Sequence, residues 1–177
     1  MAISNGHDYS ETGLTIQQAM VDHVKRHPDK GMRPGYILWN GSRVQTSDVL
    51  EVPSKGIVRA EFVYVTPGTR QGFEMKVDGG FRLAEGELVP ILRTWKEDRF
   101  EDFVEYPYSS RNGQMFVWNI YEMIYPSGEK VVEKWTENAG VCVEFTSDCE
   151  RIYHCSHGMA NPPNFESLVF KLSFRPN

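Results

Sequence analysis

The chain has 177 residues, of which 40% are hydrophobic and 24% charged, with a net charge of -5 and a pI near 5.6. That length predicts one domain able to bury a sizeable core, and the composition excludes a disordered chain. The acidic balance argues against a nucleic-acid partner, which needs a basic footprint, and no apolar run approaches the length of a membrane span.

Residues 1–13 are polar and glycine-bearing and read as an N-terminal arm, with residues 14–177 as a single domain. Thr15 and Gln18 fit a capping box, with Leu14 and Ala19 in the staple positions. Ile16, Ala19, Met20, Val24 and His27 follow helical spacing and Pro28 stops them, so the only helix expected covers about 16–27. The basic group Lys25-Arg26-His27 falls where that helix ends and complements its dipole.

After a turn-rich stretch at 28–35 the pattern changes to period two. Strands are expected at 36–40, 44–52 and 57–66, then as a hairpin of 73–77 and 81–84 about the turn Asp78-Gly79-Gly80. Residues 88–95 follow, with Pro90 marking an edge. An acidic loop then leads to a strand from about Phe103. Residues 115–125, 129–136 and 141–146 are separated by Pro126-Ser127-Gly128 and Asn138-Ala139-Gly140, which is the pattern of a meander. Runs at 151–156 and 168–174 complete roughly nine or ten strands. The fold expected is mainly β: a single-domain antiparallel β-barrel, or alternatively a curved β-sandwich, with one N-terminal helix.

Both faces of 115–125 are largely apolar, so the strand should be covered on both sides, and a homodimer would supply outer cover. The face with Asn119, Tyr121 and Tyr125 mixes apolar bodies with polar tips, as ligand pockets do. If neighbouring strands pair in sequence order, Glu133 and Trp135, and then His154, converge on the same inner patch. Glu133 among apolar neighbours and an inward His154 beside Ile152 are the candidate acid and base. Asn119, Tyr121, Tyr125 and Trp135 are the candidate ligand contacts. Glu61 has a similar standing to Glu133, with Arg59 as its natural ion-pair partner.

Other chemistry finds no motif. A continuous strand through His154 and His157 points them to opposite faces, and no C-x-x-C pair accompanies Cys149 and Cys155, so no metal site is expected. The absence of G-x-G-x-x-G, phosphate-loop and G-x-S-x-G patterns argues against a nucleotide cofactor or a serine nucleophile. Three cysteines, with no secretory pattern in residues 1–20, suit reduced thiols in a cytoplasmic protein. The expected function is therefore small-molecule binding without a cofactor. It would be either a lyase, isomerase or cyclase using acid–base chemistry, or a non-catalytic module: an apolar-ligand carrier, a glycan-binding sandwich or an acidic interaction domain.

Overall fold

The structure is a computed structural model that describes residues 7–28, 35–98 and 101–177. Residues 1–6 of the expected arm, 29–34 of the turn-rich stretch and 99–100 of the acidic loop lie outside the described residues. Helix α1 spans Ile16–Arg26 and begins as its capping box requires. Gln18 donates its N–H to Thr15 Oγ1 at 3.2 Å, and Thr15 donates its N–H to Gln18 Oε1 at 2.9 Å. Asp8 and Tyr9 tie the preceding segment to the domain. Tyr9 is fully buried, donates its N–H to the Leu38 carbonyl at 2.9 Å and its hydroxyl to Asp22 at 2.8 Å.

The strands are β1 (Ile37–Trp39), β2 (Ser42–Val44), β3 (Asp48–Glu51), β4 (Lys55–Val65), β5 (Gln71–Arg82), β6 (Leu88–Trp95), β7 (Phe103–Ile124), β8 (Lys130–Glu133), β9 (Gly140–Ser147), β10 (Glu150–Ser156) and β11 (Leu168–Arg175). β1 and β2 form a small hairpin. The other strands make one antiparallel sheet in the order β6-β5-β7-β4-β11-β10-β9, with β3 and β8 also paired to β7. The 22-residue β7 is its spine. β5 runs along one edge of β7, while β4, β3 and β8 take successive stretches of the other. At the far side, Gln45 and Val141 exchange backbone hydrogen bonds of 2.8 Å, so a single bridge ties β9 to the chain entering β3. The protein is thus mainly β with antiparallel sheets and one helix among the described residues, and the ladder does not close into a barrel.

The inner face of this wrapped sheet is filled by side chains. Phe170 stacks between Phe73, at a centroid distance of 4.2 Å, and Tyr153, at 4.9 Å. Met75, Met115, Val117, Phe81 and Leu172 close around them. Two smaller clusters lie outside the sheet. One packs α1 against β1, β2 and Cys142 of β9. The other covers the outer face of β7 with Trp95, Val132 and Trp135 over Trp118 and Ile120. Of the apolar outer face that motivated a homodimer, Trp118 and Ile120 are buried within the chain, whereas Ile124 at its end is exposed.

Two local expectations change. Residues 78–80 form no hairpin turn. β5 continues through them with a bulge, and a Cβ on Gly79, at φ 154°, would lie 2.2 Å from the Ser109 carbonyl oxygen. The meander also stops at β8, which pairs with β7 but not with β9.

Candidate functional site

Three segments meet at one end of the sheet: residues 10–15 before α1, 134–139 between β8 and β9, and 157–163 after β10. Asn138 ties them together. Its Oδ1 accepts the Ile16 N–H at 3.2 Å, its Nδ2 donates to the Ala160 carbonyl at 2.7 Å, and its own N–H reaches the Gly158 carbonyl at 3.2 Å. Glu137, at φ 50°, accepts the Gln17 N–H through its carbonyl at 2.9 Å and donates its N–H to Gln17 Oε1 at 3.0 Å. The first donors of α1 are thus consumed inside the chain, which leaves this helix end no anion-binding character.

Between these segments lies a cleft of about 450 Å³. Trp39, Met123, Met159 and Pro163 form apolar walls, and Thr15, Glu137 and Asn161 add polar tips. Among the described residues that line it, only Glu137 is ionisable. His157 sits just behind, where its Nδ1 accepts the Met159 N–H at 3.2 Å. Burial lowers its pKa from the ordinary 6.5, which favours the neutral ring.

The inner face of β7 supports this cleft from beneath. Asn119, almost fully buried, donates to the Ser156 carbonyl at 3.0 Å. The buried Tyr121 hydroxyl donates to the Thr136 carbonyl at 3.2 Å and also meets the Thr136 hydroxyl. Burial raises its pKa, with the Thr136 contacts opposing. Gly158 lies against that phenol so closely that a Cβ there would stand 2.6 Å from the hydroxyl oxygen.

The six residues singled out by sequence are therefore distributed over several places. Asn119 and Tyr121 hold the loops that line the cleft. Tyr125 is exposed and donates its hydroxyl to Glu133 at 3.1 Å, and Glu133 pairs across from Tyr121. Trp135 departs from them. At φ 62° it swings to the outer face of β7, where it meets Trp118 edge-on with centroids 5.6 Å apart. His154 is not inward. Tyr153 and Cys155 take the inner face, while His154 lies outside with Nδ1 2.9 Å from Glu166 and Nε2 2.9 Å from Glu144. No pair of the proposed acid and base converges on a cavity. Glu61 pairs with Lys171 at 3.4 Å, not with Arg59, which faces Glu105 at 3.8 Å.

The cleft residues Trp39, Glu137 and Met159 were not anticipated, although two turn signals, Asn138-Ala139-Gly140 and Asn161-Pro162-Pro163, mark the loops that carry them. Among the described residues no group of His, Cys, Asp and Glu could hold a metal ion, and no helix is long and apolar enough to cross a membrane. No protein-family model, curated protein or solved structure matches the chain.

Proposed function

We propose that this chain is a non-catalytic small-molecule-binding β-domain, an open barrel latched by the Gln45–Val141 bridge, whose ligand seats in the cleft at its rim. The observation that carries this reading is the lining. Apolar walls from Trp39, Met123 and Met159 surround a single ionisable group, Glu137, in a volume of about 450 Å³. Ligand sites of that size combine apolar walls with a few polar groups, and a lone carboxylate there offers no acid–base pair of converging titratable groups. The fitting ligand has an apolar body and one hydrogen-bonding or cationic end for Glu137. The unpaired thiols of Cys142, Cys149 and Cys155 favour a reducing, cytoplasmic setting.

Ligand-detected NMR with a fragment library tests this. Fragments with an apolar ring and an amine or hydroxyl should bind the native chain. They should be lost in Met159→Trp, which fills the cleft from a side chain that is 42% exposed. Identical hits in both proteins would place binding elsewhere and remove the proposal.

A further inference from the structure

Lys134 follows directly after β8, and its ammonium occupies a corner built from two indoles and a carboxylate. Its Nζ lies 4.7 Å from the centre of the Trp118 ring and 4.6 Å from that of Trp135. Those rings meet at 62°, so they wall the cation on two sides. The third wall is Glu74. Its side chain is only 8% exposed, and its Oε1 accepts the Trp118 Nε1–H at 2.8 Å while standing 4.0 Å from Lys134 Nζ. The other oxygen, Oε2, takes Arg93 Nε at 3.0 Å, which fixes the carboxylate in place.

Two details mark this corner as more than a surface ion pair. Trp135 adopts φ 62°, a region that costs a bulky residue strain, and this is the turn that sets its indole across Trp118. The Lys134–Glu74 separation of 4.0 Å is too long for a hydrogen bond, so the corner attracts the lysine charge without satisfying its N–H donors. A cation with no N–H groups and weaker hydration suits these walls better than the one that fills them. The lysine side chain is 41% exposed, so it can leave to solvent.

We propose that Trp118, Trp135 and Glu74 form an aromatic cage for a quaternary or methylated ammonium group, and that Lys134 is its tethered stand-in. The cage lies on the opposite face of β7 from the cleft and is a separate site. Tethering gives the lysine a high effective concentration, so the native chain shows a weakened apparent affinity and removal of the lysine exposes the full one.

Choline is the probe, with 3,3-dimethyl-1-butanol, its neutral carbon isostere, as the control for shape without charge. Calorimetry and tryptophan fluorescence should show saturable choline binding to Lys134→Ala, about tenfold tighter than to the native chain. The isostere should bind neither. Adding Trp135→Leu to Lys134→Ala should abolish binding. In the native chain, the Lys134 Hε protons should be shifted upfield by the two indoles and should return towards free-lysine positions under excess choline. This last measurement needs no variant to fold. Equal choline affinity in native chain and Lys134→Ala, equal binding of the isostere, survival of binding without Trp135, or Lys134 resonances unmoved by choline would each overturn the proposal.

Discussion

On the inner face of β7, Asn119 and Tyr121 direct their polar tips to main-chain carbonyls at Ser156 and Thr136. On the outer face, Trp118 gives its N–H to the Glu74 carboxylate, and the charge of that carboxylate is met by Arg93 and Lys134. Both faces bury aromatic rings, yet only the inner partners are fixed by the backbone. A main-chain carbonyl cannot leave without unravelling a loop, whereas a lysine ammonium can swing away and be replaced by another cation. The inner face therefore reads as scaffold, and exchangeable contacts belong to the outer face and the rim.

The contrast can be broken by truncation. The largest loss is expected for Phe170→Ala, which empties the stack with Phe73 and Tyr153: about 4 kcal/mol by urea unfolding. A loss below that of an outer-face variant would invert the assignment of scaffold. Asn119→Ala should cost about 2 kcal/mol, because it removes the donor to a buried carbonyl. It should also raise hydrogen exchange across residues 157–163, and unchanged exchange there would show that Asn119 does not hold the loop. Trp118→Phe keeps an aromatic body but removes the indole N–H and part of the ring's volume from a buried cluster, for about 1.5 kcal/mol. A cost matching that of Phe170→Ala would mean the outer face is no less rigid than the core.

The smallest effect is read as a slope with pH. Burial holds the folded-state pKa of His157 below 6.5. As pH falls through 6.5 the unfolded chain takes up a proton that the folded chain still refuses, so stability is full above that pH and declines below it. His157→Asn should flatten the fall in stability between neutral and mildly acidic pH. An unaltered slope would assign the acid sensitivity to other groups.

Local signals were legible where the cause was local. Thr15 and Gln18 announced the start of α1, and alternation announced most strands. Long-range causes were not. Asp78-Gly79-Gly80 has the residues of a hairpin turn, but Gly79 is required because β5 passes against the Ser109 carbonyl, more than two dozen residues away in sequence. In Ile152-Tyr153-His154-Cys155 both faces are mixed, and cross-strand pairing decides: Tyr153 sits opposite Phe170 of β11 and turns His154 outward. The left-handed turns at Trp135 and Glu137 leave no mark in composition, yet they separate β8 from β9 and orient both the cleft and the outer indole pair. Of the residues expected to contact a ligand, Asn119 and Tyr121 lie one layer beneath the cleft and are not among its lining residues.

The pairing of β4 has a consequence for how the chain is made. β4 ends at Val65, but its two hydrogen-bonding neighbours are β7, from Phe103, and β11, from Leu168. During synthesis an apolar strand with both edges open must wait for about a hundred residues before its second neighbour leaves the ribosome, a delay of several seconds at ordinary elongation rates. Open edges of this kind recruit strands from other chains. Slowing translation between β7 and β11 should therefore lower the yield of soluble protein, whereas the same pause placed after β11 should not.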